Sequence, residues 1–189
     1  KLEWNIGGAR NLVMHIAQRC RVVMLDNDYI LPETLGSEMR AVDPNGHIYR
    51  LKRNHPGKSG QHPGIMYTTP STYWTIGGAD EDFVGHYGWT DPHLVARASR
   101  AGVPVSMFES NARLQPQATQ LNRPVVLRDP SHNDKLFQSK MKGDSPWSTT
   151  YLRFRWSQFT NYVTHMTAHP QRVYFADFFR FGGFRSGVE

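Results

Sequence analysis

At 189 residues the chain is long enough for one globular domain with a sizeable core and too short for two full-sized ones. Its 39% hydrophobic and 20% charged residues exclude a wholly disordered polymer, and the excess of 22 basic over 16 acidic residues favours anionic partners without naming one. The single Cys20 excludes an internal disulfide and leaves the redox compartment open.

The start, KLEWNIGG, has neither an initiator Met nor an apolar signal block, and no apolar run in the chain approaches a membrane span. It reads as the middle of a gene product, so that any anchor would lie upstream. GGARNLVMHIAQRC, 7–20, spaces Leu12, Ile16 and Cys20 four apart with Val13 and Ala17 beside them, which predicts an amphipathic helix. Gly7 and Gly8 ahead of it would let backbone N–H groups face a ligand. RVVMLD, 21–26, predicts a strand buried on both faces, and Pro32-Glu33 opens a second helix. Asn45-Gly46 predicts a surface hairpin, and KRNHPGKSGQHPG, 52–64, predicts a loop. Asp91-Pro92 starts a helix that Gly102 closes, after which VPVSMF returns as a strand. No internal repeat and no linker interrupts this order. The basic-aromatic tail, YLRFRWSQF and FFRFGGFRSG, could stack on a nucleic acid strand, but no nucleic-acid module signature accompanies it, and a strand with a solvated face is the better reading.

Chemistry concentrates at Asp26-Asn27-Asp28, where an apolar strand ends. Residues i and i+2 of an extended chain share a face, so the two carboxylates make a hard oxygen site for Mn²⁺ or Mg²⁺. The competing role is a helix cap for one Asp and solvation for the other. A calcium loop fails, because Ile30 and Leu31 stand where an oxygen ligand and a glycine are required.

NIGGARNLVMHIAQRCRVVMLDNDYILPETL resembles the nucleotide-sugar-binding region of GT-A fold glycosyltransferases, with its Ala-Arg-Asn helix, hydrophobic strand and Asp-x-Asp motif. WTIGGADEDFVGHYGWTDPHLVARASRAGV, 74–103, is similar to the galactosyltransferase C-terminal region, and with HNDKLFQSK at 132–140 the resemblance covers the greater part of the chain. It implies an α/β, GT-A-like (Rossmann-related) fold, a mixed sheet flanked by helices. It also implies an N-terminal truncation that removes the βα units for base and ribose. One domain, 1–189, would have a metal and donor side at 1–40, an acceptor and catalytic side at 62–142, and a C-terminal extension at 143–189.

The resemblance further implies residue roles. Asp26, Asp28 and His132 would hold the metal, His165 and His169 competing for the last place. Arg10, Asn11 and Asp26 would contact a nucleotide-sugar donor, a UDP-sugar first. Asp91 would be the general base of an inverting transfer, with a helix N-cap as its rival role. Gly77, Gly78, Trp89 and Thr90 would meet a glycan, glycoprotein or glycolipid acceptor, and Thr90 departs from the family's usual acidic residue there. Asp80, Glu81 and Asp82 would help position substrate, at least one of them being merely solvated, and His62 and His86 could touch sugar hydroxyls. No nucleic acid partner is implied, and a membrane only through a segment outside this sequence. The rivals are a GT-A-like nucleotidyltransferase and a truncated, non-catalytic carbohydrate-binding domain.

Overall fold

The computed structural model describes residues 4–17, 21–26, 29–54, 60–116 and 128–154, with 60–63 as backbone only. Cys20, Asp28, His165, His169 and the tail from 155 onward lie outside the described residues, as does the side chain of His62. Four strands form one mixed sheet: β1 (Val22–Met24), β3 (Ile48–Arg53), β4 (Gly60–Thr68) and β5 (Val105–Met107), in the order β1-β4-β3-β5. β1 and β3 both run antiparallel to β4, and β5 runs parallel to β3. β2 (Tyr29–Ile30) and β6 (Gln115–Pro116) make a separate short ladder. The protein is thus mixed α/β, with helices α1 (Ile6–Ile16), α2 (Glu33–Ala41), α3 (Pro70–Thr75), α4 (Thr90–Arg100) and α5 (Ser131–Lys142) around the sheets.

Alternation along the strands sorts the core into two layers. Val22, Met24, Ile48 and Met66 leave one face of the main sheet and pack with Met14 of α1, Tyr73 and Ile76 at α3, and Leu94 and Ala98 of α4. Leu51, Ile65 and Tyr67 leave the other face and meet Leu35 and Met39 of α2, with Tyr29, Phe108 and Leu114. Val23 packs against this second cluster, so β1 is covered on both sides, as its apolar run requires.

Three local expectations are corrected. The turn at Asn45-Gly46 is real, closed by His47 N–H donating to Pro44 O (3.1 Å) with Gly46 at φ 74°, but it joins α2 to β3. A hairpin needs a strand on each side, and the segment before this turn has wound into α2. The antiparallel pair is β3–β4, whose strands reach Arg53 and Gly60 and so enter both ends of the stretch expected to be loop. Ladder hydrogen bonds and the buried Gly64–Thr68 stretch override the local Gly/Pro composition there.

α1 forms with a different inward face. Asn5 caps it by accepting Gly8 N–H (3.1 Å), and the side turned to the protein is Gly7, Gly8, Arg10, Asn11 and Met14, while Ile16 is 63% exposed. Gly7 packs on Ala79, Asp80 and Thr90. The helix is amphipathic in spacing, but two polar residues occupy its buried stripe because each has partners across the interface. Urea denaturation tests this orientation. Met14→Ala is expected to lower stability by about 3 kcal/mol, and Ile16→Ala by no more than about 0.5 kcal/mol.

Candidate active site

Arg10 points from α1 across the sheet and pairs with Asp91 in the first turn of α4, its Nη1 donating to Asp91 Oδ1. Its second arm, Nη2, donates to the Gly64 carbonyl of β4 at 3.1 Å. The Arg10 side chain is 7% exposed and that of Asp91 21%, so the carboxylate is the member a ligand can reach. Burial by itself would lower the Arg10 pKa; Asp91, with smaller pulls from Tyr73 and Asp26, outweighs it and holds the guanidinium above its ordinary value. Asp26 therefore lies within the electrostatic reach of Arg10. It sits two residues beyond Met24, and Met24 is in register with Met66, which lies two residues beyond Gly64.

Gly64 lets the pair seat against the sheet. A Cβ there would lie 2.7 Å from Arg10 Nη2 and 2.9 Å from Asp91 Oδ2, both closer than packed atoms allow. The absence of a side chain lets the guanidinium and the carboxylate oxygen pack directly on the backbone of β4, in the space a Cβ would need. Asp91 is not the helix cap: Trp89 occupies that position without a capping hydrogen bond, and Asp91 Oδ1 is bound to Arg10. The helix dipole of α4 favours its negative charge at that end.

Arg50 on β3 is a residue that motif reading missed. It shares the electrostatic field of Asp91, and its side chain leaves the sheet on the α1–α4 face, since it is the cross-strand partner of Met66 and two residues from Ile48, both in that core. The alternation of IYRLKR carried this signal, because it sets an arginine on the same face as a buried isoleucine.

The remaining expected residues are spread around the cleft's supports. Asn11 is fully buried: its amide donates to Ala79 O (3.0 Å) and Glu81 Oε1 (2.8 Å), and its carbonyl accepts Ala79 N–H (2.9 Å) and the Tyr73 hydroxyl (2.7 Å). Both ends hold the 79–81 turn in place, so a ligand has no open polar atom to meet on Asn11. Gly77 and Gly78 have φ of 81° and 59° and abut Arg97 and Asn11, which makes them packing glycines as the fold stands. Trp89 holds φ 65°, uncommon for a side chain of that size, and stacks on Phe137 with ring centroids 4.6 Å apart. Thr90 is buried, its methyl group beside Gly7 of α1.

The turn that carries Trp89 is organised by Asn133, the neighbour of the histidine that the motif singled out. Asn133 is fully buried, and its Nδ2 lies 3.0, 3.0 and 2.9 Å from the carbonyls of Phe83, His86 and Gly88. The helical spacing of 133, 136, 137 and 140 in SHNDKLFQSKMK would have found it as an inward polar position. His132 itself packs face to face on His86, ring centroids 3.6 Å apart, and lines a cavity of about 550 Å³ with Glu81, Asp82 and Lys140. The structure thus pairs Arg10 with Asp91, leaves Asp26 within the electrostatic reach of Arg10, and places His132 elsewhere, on the cavity beside the acidic turn. Among the described residues no three His, Cys, Asp or Glu side chains gather as a metal site; of the Asp-x-Asp pair, only Asp26 is described.

All three acids of the 80–82 turn are engaged. Asp80 meets Arg97 (3.2 Å), Lys140 (3.1 Å) and the Ser148 N–H (3.1 Å). Glu81 accepts the N–H groups of Leu152 (2.7 Å) and Arg153 (3.0 Å), and Asp82 pairs with Lys140 and Arg153, both at 2.7 Å. The acids fasten the segment 146–153 to the domain, which corrects the expectation that at least one is merely solvated. Backbone and cation contacts hold Asp80 below the usual carboxylate range, against the opposing effect of burial. Beside them His93 is wholly buried among Phe83, Phe137 and Trp147, with no hydrogen-bond partner for either ring nitrogen among the described residues and Asp80 3.9 Å away. Burial pushes its pKa down to about 4; the pull of Asp80 upward is smaller, and Arg97 and Lys140 add to the depression.

Two stability measurements follow from this arrangement. His93 is neutral in the folded protein and protonates below its ordinary pKa of about 6.5 when unfolded, so its contribution is complete above that pH and is lost as pH falls toward 4. Wild type is expected to lose about 2 kcal/mol between pH 7 and pH 4.5 that His93→Leu does not lose, read from denaturation at the two pH values. Gly78→Ala, whose new Cβ would stand 2.9 Å from both Asn11 Oδ1 and Trp74 Cζ3, is expected to destabilise by about 2 kcal/mol or more in the same assay.

Compared with protein-family models, with curated proteins and with solved structures, the chain matches none.

Proposed function

We propose that the chain is a GT-A-like, metal-dependent glycosyltransferase domain. It moves a sugar from a nucleotide-diphosphate donor, a UDP-sugar first, to a hydroxyl of a glycan, glycoprotein or glycolipid, with inversion. The observation that carries this reading is the Arg10–Asp91 pair over the bare backbone of Gly64, with Asp26 inside the field of Arg10. Two separate stretches of the resemblance meet there: the Ala-Arg-Asn helix and the Gly-Trp-Thr-Asp turn.

In this reading Arg10 fixes Asp91 through Oδ1, and the partly exposed carboxylate keeps Oδ2 to receive the proton of an acceptor hydroxyl. Asp91 takes that proton as the hydroxyl oxygen attacks the sugar's anomeric carbon and the nucleoside diphosphate departs. Asp26, at the end of β1, is a hard oxygen ligand of the kind Mn²⁺ or Mg²⁺ prefers, with Asp28 its partner on sequence grounds. A bound ion would supply charge neutralisation of the diphosphate. Trp89 presents the face not covered by Phe137 toward an acceptor sugar.

The test is nucleoside diphosphate release from a UDP-sugar panel with Mn²⁺ and oligosaccharide acceptors. Asp91→Asn is expected to lower transfer by about 100-fold or more while donor binding stays close to wild type. Asp26→Asn is expected to weaken metal-dependent donor binding itself. Equal transfer by wild type and Asp91→Asn would remove the base assignment; pyrophosphate release would assign nucleotidyl transfer instead, and metal-independent glycan binding without turnover a binding domain.

A further inference from the structure

We propose that Arg50 is the anion-docking group of this cleft, receiving a phosphate or carboxylate of the ligand beside the Arg10–Asp91 pair. The two arginines differ in what they hold. Arg10 is committed on both arms, to the Asp91 carboxylate and to the Gly64 carbonyl. Arg50 is half-buried; its Nε is shielded from solvent with no hydrogen-bond partner, and its side chain makes no ion pair among the described residues. A guanidinium drawn into a protein without a carboxylate in contact is unfavourable unless something else supplies the acceptors.

Its position gives that acceptor an address. Arg50 stands opposite Met66 on β4, two residues from Gly64, and on the same face as α1 and α4. Asp91 is close enough to act on its charge, but Asp91 Oδ1 is bonded to Arg10. Burial lowers the Arg50 pKa, and the field of Asp91 opposes that effect without a direct hydrogen bond. A planar fork without an acceptor among the described residues, beside the Arg10–Asp91 pair, matches the two oxygens of a phosphate or carboxylate. The partner is therefore an anionic ligand: either the diphosphate of a donor or an acidic sugar.

This inference rests on the cleft being the ligand site and is independent of turnover, so its test uses binding alone. Full-length protein is titrated by calorimetry at low salt, without metal, with inorganic pyrophosphate and separately with glucuronate. Wild type is expected to bind one of them, which identifies the source, and Arg50→Gln to weaken that binding at least tenfold. Arg50→Lys, which retains the charge and loses the fork, is expected to recover part of it. Thermal melting within a few degrees of wild type certifies the fold of each variant. Should Arg50→Gln fail to fold, the ¹⁵N signal of the wild-type Arg50 Nε, assigned by its loss in Arg50→Lys, is expected to shift on titration. Binding of neither probe by wild type, equal binding by Arg50→Gln, or an unmoved Nε signal would overturn the proposal, whereas loss of sugar transfer alone would not.

Discussion

The structure depends on a turn of three acids, two of which, Asp80 and Glu81, folding takes out of water. Asp80, Glu81 and Asp82 sit where α1, α4, α5 and the 146–153 segment converge, and each segment brings donors: Asn11, Arg97, Lys140, and the backbone N–H groups of Ser148, Leu152 and Arg153. Carboxylates stripped of water are strongly unfavourable alone, and their stability here requires that all of those donors arrive together. The turn therefore works as a keystone. If one donor segment moves, buried negative charge is left uncompensated and its neighbours must shift too.

The cleft inherits its geometry from that keystone. Asn11 and Arg10 are adjacent on α1, so the amide that binds the 79–81 turn also fixes the helix from which the guanidinium reaches out. Arg97 and Asp91 lie on the same helix, α4, one anchored to Asp80 and the other facing Arg10. Two helices clamped at one place can hold a charged pair at another with little freedom, which is the preorganisation that positioned proton transfer needs. Asn133 adds a third constraint through the carbonyls of 83–88, ahead of the strained Trp89.

Much of this was legible in the sequence where local rules govern. Pro32-Glu33, Asp91-Pro92 and Gly102 mark helix ends by stereochemistry that operates wherever they stand, and the apolar Val-Val-Met run at 22–24, led by two β-branched residues, is a strand. The pairing of Arg10 with Asp91, 81 residues apart, is beyond local rules, although two motif stretches pointed to those two side chains separately. What failed were inferences from composition alone. Gly and Pro at 60–64 were overruled by a ladder whose other strand lies elsewhere in the chain, and the hydrophobic spacing of α1 named a face that the buried polar residues Arg10 and Asn11 displace. Strand alternation and helical spacing can set Arg50 and Asn133 on inward faces, but what a buried polar residue does there is decided by surroundings distant in the chain, as for His93.

The way Glu81 is satisfied also has a biosynthetic side. It binds Leu152 and Arg153 through their backbone N–H groups, as Asp80 binds that of Ser148, so these contacts read the path of the chain and not its side chains. An N–H group is what these contacts require, so proline is excluded at those three places, while the Arg153 side chain serves separately in its pair with Asp82. On the ribosome, however, the sheet and α1 to α4 emerge well before that path exists. The nascent chain must carry its acids in hydrated form until synthesis has passed Arg153, and only then can the turn close.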